Sequence, residues 1–419
     1  MPDILVIGGG AAGLMAAYGA ASAAAENGLA QKVMLLEHNE KLGKKIYLTG
    51  KGRCNLTNDC TRDEFLREVV RNPRFLYSAL SALSPQDLMD LMEQHGLPLT
   101  VQRGRRVFPA SEKASDVTRT LERMLRMLQV EIRLLAQVAQ ILVRDGKADG
   151  VRLDTGEEIH ADRVILATGG LSYPSTGSTG DGYRMACALG HTLMPTLPSL
   201  TALETEETWP RLLQGLSLKH VTLTARSGKK TFYTQLGEML FTHFGISGPL
   251  VLEMSCHLPE TTAAWKDVEV FLNLKPALSP EQLQARLQRE FDLSPRRSLG
   301  RMLETLLPQR FAALFPEICS LDAQKTCATV SRSERQRLQE TLQHLPVTVK
   351  GPRPIAEAIV TRGGICVREV DPRTLESRLL PGLYLCGEML DVDAHTGGYN
   401  LHIAFSTGFL AGRSAVTAS

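Results

Sequence analysis

The sequence predicts an α/β protein. Its core is a Rossmann domain of the two-dinucleotide type, discontinuous along the chain, with an inserted antiparallel β domain and a helical cap. Three observations carry this. Asp3-Ile4-Leu5-Val6-Ile7 is an apolar strand that runs straight into Gly8-Gly9-Gly10-Ala11-Ala12-Gly13, a G-x-G-x-x-G turn followed by an alanine-rich helix. Lys32-Val33-Met34-Leu35-Leu36-Glu37 is a second short strand, and it ends on an acid. Near the other end, Pro381-Gly382-Leu383-Tyr384-Leu385-Cys386 leads into Gly387-Glu388, and Gly397-Gly398-Tyr399-Asn400 opens a last helix that runs through Gly412. A nucleotide-binding start and a matching end imply one domain built from both ends of the chain.

The glycines of the first turn have separate tasks. Gly8 allows the tight turn, Gly10 lets a pyrophosphate approach the backbone, and Gly13 lets the helix pack closely on the sheet. The helix start at Ala11 and Ala12 offers free N–H groups and a positive dipole end to phosphates. Glu37 follows at roughly the 20-residue spacing at which a carboxylate accepts the ribose hydroxyls of an adenosine. With a second half supplied by the C-terminal strand and helix, the expected dinucleotide is FAD.

Composition bounds the rest. At 419 residues the chain suggests two or three domains. Hydrophobic residues at 43% and charged residues at 22% describe a soluble globular enzyme. A net charge of +2 supplies no global field that would demand nucleic acid, so local patches must be argued separately. No apolar run reaches bilayer length, and Met1-Pro2 leads directly into the first strand, so no signal peptide and a cytoplasmic location are expected. The eight cysteines (54, 60, 187, 256, 319, 327, 366 and 386) are scattered without a CxxC pair. That pattern reads as reduced thiols and no structural metal.

Along the chain, residues 61–129 read as mostly helical, most clearly Ser84–His95. Residues 130–168 read as a β meander through Glu131–Leu135, Val138–Arg144, Gly150–Leu153 and Arg163–Thr168, with Asp145-Gly146 and Thr155-Gly156 at turns. Residues 192–275 alternate apolar and polar, as in Val221-Thr222-Leu223-Thr224 and Val268-Glu269-Val270-Phe271-Leu272, and suggest a small antiparallel β domain. Residues 279–344 turn helical from Ser279-Pro280-Glu281-Gln282 onward. The expected division is therefore 1–191 for the first part of the FAD-binding domain, 192–278 for the inserted β-rich domain and 279–344 for the helical cap. Residues 345–353 would be a return strand of the β domain, and 354–419 the second part of the FAD-binding domain.

Four long motifs then stand in order. They are Gly50-Lys51-Gly52-Arg53-Cys54-Asn55-Leu56-Thr57-Asn58; Thr168-Gly169-Gly170-Leu171-Ser172-Tyr173-Pro174 through Thr179-Gly180-Asp181-Gly182-Tyr183; Phe241-Thr242-His243-Phe244-Gly245-Ile246-Ser247-Gly248-Pro249; and Cys386-Gly387-Glu388 through Asp391-Val392-Asp393 to Thr396-Gly397-Gly398-Tyr399-Asn400-Leu401. Together they resemble the BaiN/RdsA-type family of NAD(P)/FAD-dependent oxidoreductases over essentially the whole chain. The resemblance implies FAD, a β-barrel-like insertion and a helical cap. It leaves the substrate open. Members of the family are linked to reduction of conjugated C=C bonds in steroid-like molecules, to amine or ketone oxidation, and to dihydrouridine formation in ribosomal RNA. It also implies that Val138 contacts adenine through its backbone.

Candidate roles follow from these motifs. Gly8, Gly10, Ala11, Ala12 and Gly13 are assigned to the pyrophosphate, Glu37 to the ribose, and Thr168, Gly169, Gly170 and Asp181 to the strand end and motif near the pyrophosphate. Gly387 and Glu388 are assigned to the ribityl chain. Gly398, Tyr399, Asn400 and Leu401 would present a helix N-terminus to the flavin edge that becomes anionic on reduction. Lys45, Gly52, Arg53, Cys54 and Asn55 lie in a basic glycine-rich loop expected beside the flavin. A redox pair between Cys54 and Cys60 is conceivable there, with reduced cysteines the default.

Cys54, His243 and Tyr399 are the candidate catalytic acids. Each has a bland alternative: a space-filling thiol, a packing histidine, or a plain residue of the first helical turn. No second G-x-G-x-x-G unit is present, so NADH or NADPH is expected to dock transiently as hydride donor. The first reading of function is reduction of a conjugated C=C bond, in ribosomal RNA uridine or in a small molecule. Residues 99–133, with eight basic and four acidic side chains, lean toward RNA. The alternative is a flavin oxidase of a small amine or aminoketone. No membrane contact is expected, and the sequence leaves the oligomeric state open.

Overall fold

The structure is a computed structural model and describes residues 1–260, 265 and 267–417. It divides into two compact units, residues 1–199 with 354–419, and residues 200–353.

The first unit is built on a five-stranded parallel sheet. Its strands, in spatial order, are Leu383–Leu385, Arg163–Leu166, Ile4–Ile7, Val33–Leu36 and Glu131–Arg133. Ile4–Ile7 and Val33–Leu36 are buried at every position, as expected for parallel strands covered on both faces. The N- and C-terminal segments therefore share one sheet. They also share its helical cover. The helices Ala11–Glu26 and Tyr399–Thr417 approach so closely that a Cβ on Gly408 would sit 2.1 Å from the Ala12 carbonyl oxygen, and one on Gly412 would sit 2.0 Å from that of Ala16. Only glycine at these two positions permits that spacing.

Residues 61–129 are mostly helical, as expected, through Arg62–Arg67, Pro73–Leu76, Tyr77–Ala82, Pro85–Gln94 and Ala114–Met127. One hairpin within them was not foreseen, and two expectations about this unit are corrected. Leu99–Gln102 and Arg106–Pro109 form a hairpin that pairs with Thr57–Asn58. Its turn is Arg103-Gly104-Arg105, with Gly104 and Arg105 both in the left-handed region, so the arginines mark a tight turn. The meander is also shorter than expected, because Glu131–Arg133 and Arg163–Leu166 join the parallel sheet. Only Val138–Arg144, Lys147–Leu153 and Glu158–His160 form an antiparallel sheet of their own. Finally, the boundary expected at 192 falls at 200. Leu193–Ser199 pairs antiparallel with Val360–Ile365 of the same unit, and a register shift between Met194 and Leu197 accommodates Pro195.

The second unit is a closed antiparallel barrel. Its strands are ordered Leu203–Thr205, Gly245–Ser247, Lys230–Phe241, Ser217–Ser227, Val268–Asn273 and Leu345–Pro352. The helices Pro280–Leu293, Leu299–Leu303, Gln309–Ile318 and Arg332–Gln343 belong to this unit, and Leu283, Leu287 and Phe291 share its core with Val270 and Leu272. Capping boxes start the first and last of these helices, Ser279 with Gln282 and Ser331 with Glu334. Among the described residues no helix is long and apolar enough to cross a membrane.

Candidate functional site

The first turn shows why each glycine is there. Gly8 has φ +103°, a conformation that L side chains rarely adopt. A Cβ on Gly13 would lie 1.7 Å from the Gly8 carbonyl oxygen, so the helix could not seat on the strand with any side chain there. A Cβ on Gly10 would meet nothing within 4 Å. Gly10 thus faces open space at the start of a 16-residue helix, which is the cradle a pyrophosphate needs. Ala11 is half-buried and Ala12 buried, and a Cβ on Gly387 would come within 2.6 Å of the Ala12 methyl. The turn at Gly387 therefore lies directly against the start of the first helix.

Glu37 is 7% exposed. Its Oε2 accepts from the Gly9 amide at 2.7 Å, and its Oε1 accepts from the Asn39 amide and side-chain Nδ2, both at 2.7 Å. The acid is oriented by the glycine turn, and Oε2 retains acceptor capacity toward a ribose. Asn39 was not foreseen; as a polar residue in a loop it carried no signal of its own. The chain from Leu135 runs beside this segment, with the Leu135 and Ala136 amides bonded to the Asn39 and Glu37 carbonyls. That run brings buried Val138 into the neighbourhood. Asp181 is otherwise engaged: its carboxylate accepts from Gln137 at 2.9 Å and Arg184 at 2.6 Å, tying the helix Asp181–Ala188 to the neighbouring strand. These contacts hold the Asp181 carboxylate at the start of that helix.

The third cluster joins four distant segments. Lys45 Nζ donates to Glu388 Oε2 and to Ser172 Oγ, both at 2.6 Å. Glu388 Oε1 accepts from Ser172 Oγ at 2.8 Å and from the Thr361 amide at 2.9 Å. Burial alone would raise the Glu388 carboxyl, but the Lys45 ammonium and these donors outweigh it and hold it below the usual carboxylate range. Gly170 must be glycine because a Cβ there would lie 2.4 Å from Thr361 Oγ1, and Gly169 has φ +75°. Sequence reasoning missed Thr361. Its strand pairing brings it here, and nothing local announces it.

The loop before the first hairpin is wound through left-handed conformations at Gly50, Lys51, Gly52 and Cys54. Positive φ at Lys51 and Cys54 is the kind of backbone strain that tends to gather at functional sites. Arg53 does not project toward a ligand. It donates to Gln102 at 3.3 Å, pairs with Glu112 at 3.1 Å and lies over the Phe108 ring. Cys54 is fully buried, and burial, partly offset by a hydrogen bond with Thr49, pushes its thiol up to about 12. The thiol packs within the core of the first unit and is disfavoured as a thiolate. All eight cysteines are free, so no Cys54–Cys60 bridge is present.

The loop and the last helix meet at a short strand. A Cβ on Gly398 would lie 2.4 Å from the Thr57 carbonyl oxygen, and Asn58 Nδ2 donates to the Gly397 carbonyl at 3.2 Å. Tyr399 packs edge-on to Phe65 at 5.1 Å, and its phenol is raised first by burial and then by Glu68. The Asn400 side chain is spent on the preceding loop: Oδ1 accepts from the Ala394 amide, and Nδ2 donates to the Ala394 and His395 carbonyls. Leu401 is half-buried against the core. His243 lies in the other unit, exposed at a turn where the Thr242 amide donates to the Gly245 carbonyl at 2.8 Å, with its ring against Phe244.

Whether FAD fits is decided by what is left unsatisfied. Asn55 Oδ1, Thr57 Oγ1 and Thr168 Oγ1 are buried without a hydrogen-bond partner. Asn55 lies in the loop after Gly52, Thr57 on the short strand Thr57–Asn58 and Thr168 just beyond the sheet strand Arg163–Leu166, and Gly10 is open. Buried orphan polar atoms are rare in proteins unless a bound group completes them. The residues present fit a dinucleotide, which Gly8, Gly10, Ala12, Glu37, Thr168, Asn55 and Gly398 would hold. Among the described residues no group of three or more His, Cys, Asp or Glu side chains is placed to hold a metal ion.

Comparisons with known proteins agree with this geometry. The family model described as HI0933-like protein Rossmann domain matches residues 2–414. The 3-dehydro-bile acid delta(4,6)-reductase of Clostridium scindens is 34% identical, covering 99% of this chain and 99% of its own. The ribosomal RNA dihydrouridine synthase of Haemophilus influenzae is 32% identical, covering 97% of this chain and 96% of its own. The crystal structure of a 3-ketosteroid delta1-dehydrogenase from Sterolibacterium denitrificans aligns with a TM-score of 0.52 at 14% identity, covering 100% of this chain and 99% of its own, which is a likeness of fold. The chain belongs to the HI0933-like, BaiN/RdsA-type family and is an FAD-dependent oxidoreductase.

Proposed function

We propose that the protein reduces a C=C bond conjugated to a carbonyl, with NADH or NADPH as the ultimate hydride source, and that its substrate is a uridine of ribosomal RNA. The observation that carries the reaction class is the full-length match to two relatives, one named for reducing the delta(4,6) positions of a 3-dehydro-bile acid and the other for making dihydrouridine. In this reading both reactions saturate a C=C bond in line with a carbonyl. Bound FAD, once reduced, supplies the hydride. The chain supplies the rest. Gly10 and the first helix would hold the pyrophosphate, Glu37 the ribose, and the Lys45–Glu388–Ser172 cluster the ribityl end. The helix start at Gly398 would supply N–H groups and a dipole to the ring edge that gains charge on reduction.

The RNA reading draws on the arginine hairpin, and the structure narrows that support. Arg105, Arg119, Arg126 and Arg133 pair with Glu64, Asp116, Glu122 and Glu157 and so offer little free charge to a phosphate backbone. Arg103, Arg106, Lys113 and Arg123 are exposed and form no ion pair among the described residues, Arg123 donating to the His95 carbonyl. They are the residues in this stretch able to meet phosphate. The second reading, a small conjugated enone, is favoured by the bile-acid relative at 34% identity.

Nucleoside mass spectrometry of ribosomal RNA from a deletion strain tests the proposal. One dihydrouridine should disappear and return when the gene is restored. Unchanged RNA, together with NADPH oxidation driven by a 3-oxo-4-ene steroid, would move the assignment to the second reading.

A further inference from the structure

A carboxylate offers about four acceptor sites, shared between its two oxygens. Glu37 spends most of them within the chain. Its Oε1 takes two donors, the Asn39 backbone amide and Asn39 Nδ2, both at 2.7 Å. His38 Nε2 lies 3.8 Å from the same oxygen. Its Oε2 takes one donor, the Gly9 amide at 2.7 Å. Among the described residues this fills Oε1 and leaves one acceptor site, on Oε2 beside the glycine turn.

The half-buried Asn39 is itself held from several sides. Its Nδ2 donates to Glu37 Oε1 and, at 3.1 Å, to the Thr176 carbonyl. Its Oδ1 accepts from Lys44 Nζ at 2.9 Å, and Lys44 is steadied by Glu40 at 2.8 Å. The flipped amide would set its oxygen against a carboxylate and a carbonyl, and its NH2 group against an ammonium. Only one orientation therefore satisfies it. The main chain is tied as well, with the Leu135 amide donating to the Asn39 carbonyl at 3.2 Å. The loop at Thr176 closes tightly over this pair of residues. Gly177 has φ +106°, and a Cβ there would lie 2.4 Å from His38 Nε2 and 2.7 Å from Asn39 Nδ2.

We propose that Asn39 is a positioning residue that confines Glu37 to one hydroxyl of the FAD adenosine ribose. This rests on the assignment of Glu37 to the ribose. A carboxylate open at both oxygens can accept two neighbouring hydroxyls. Here Asn39 occupies Oε1 with its amide and its side chain, so a second hydroxyl finds no acceptor on this residue. Lys44 acts one step further out, by holding the Asn39 side chain in its donating orientation.

The test exchanges the bound FAD of the holoenzyme for two analogues, one with a 2′-deoxyadenosine half and one with a 3′-deoxyadenosine half. Displaced FAD is read by chromatography, which gives each affinity relative to FAD and needs no turnover. In wild type one analogue should bind about 10-fold more weakly than FAD, the size of one charge-assisted hydrogen bond, and the other within about 2-fold of it. Asn39→Ala frees a site on Oε1 and lets the carboxylate turn, so the gap between the analogues should close to about 2-fold. Lys44→Met should narrow the gap in the same direction, because the amide loses the partner that fixes its orientation. A merely structural role for Asn39 would weaken FAD and both analogues together and keep the gap. A wild-type gap in Asn39→Ala therefore overturns the proposal. Where that variant does not fold, a wild-type gap in Lys44→Met does so. Equal losses for both analogues in wild type also overturn it, since Glu37 would then serve both hydroxyls. If wild type binds both analogues as tightly as FAD, the assignment of Glu37 to the ribose itself fails, and the proposal with it.

Discussion

The Lys45–Glu388 pair offers the most exacting test of the cofactor half of the site. Lys45→Met keeps the length of the side chain and removes two charge-assisted hydrogen bonds, to Glu388 and to Ser172, each at 2.6 Å. Glu388 would keep two donors, Ser172 Oγ at 2.8 Å and the Thr361 amide at 2.9 Å. Breaking a buried ion pair by deleting one partner costs about 3–5 kcal/mol. With two donors retained and the Glu388 side chain 18% exposed, the loss should fall toward the lower end, about 2–3 kcal/mol. For a domain of this size each kcal/mol is worth about 2–4 °C, so the melting temperature should drop by about 5–10 °C.

The pH dependence fixes the sign. In the wild type the Glu388 carboxyl is held below its ordinary value, so it contributes stability above about pH 4.3 that is lost as pH falls through its lower folded value. In Lys45→Met burial dominates and the carboxyl rises, so a buried charge is penalised at neutral pH and relieved by protonation. The gap between the two proteins should therefore shrink from pH 7 to about pH 4. The assay is thermal unfolding in saturating FAD, followed by circular dichroism and flavin fluorescence. Lys45→Met/Glu388→Gln should recover most of the lost stability, since no unpaired charge remains. A drop below about 2 °C, or a double variant no more stable than the single, would refute the reasoning.

Other expectations follow from the same geometry. Glu37→Ala should raise the FAD dissociation constant about 10- to 100-fold by fluorescence titration, the loss of about 1.5–3 kcal/mol of charge-assisted bonding; an unchanged constant would remove Glu37 from the ribose. Gly10→Ala should leave the melting temperature of the FAD-free protein near wild type while weakening FAD, because its Cβ enters open space. Gly13→Ala should lower both, because its Cβ would overlap the Gly8 carbonyl at 1.7 Å. His402 is buried, with Nε2 donating to the Leu83 carbonyl, and burial holds its pKa down to about 4. Between about pH 6.5 and that value the unfolded chain binds a proton that the folded one refuses. Stability should thus fall on acidification by up to about 3 kcal/mol through this residue, and urea unfolding at pH 7 and pH 5 should show a flatter dependence in His402→Gln.

Local sequence determined the parts of this molecule that depend on short-range chemistry. Apolar strands flanking Gly8–Gly13 specify the first β-turn-helix unit, because the glycines answer steric demands made within a few residues: a left-handed turn at Gly8 and contact with its carbonyl at Gly13. Glu37 was legible for the same reason, and Ser279 announced a helix through its own capping box. What the sequence could not show is which distant segments share a hydrogen bond. Thr361 reaches Glu388 through strand pairing, and Glu68 reaches His395 through backbone contacts between two loops. Nor could it show which charges inside a motif are paired. Arg53 and Asp181 sit inside recognisable motifs, and the fold pairs them with Glu112 and Arg184. Cys54 lies beside a strained loop, and only the fold shows that it is fully buried. Burial and pairing are properties of three-dimensional neighbours, so the tertiary structure alone decided them.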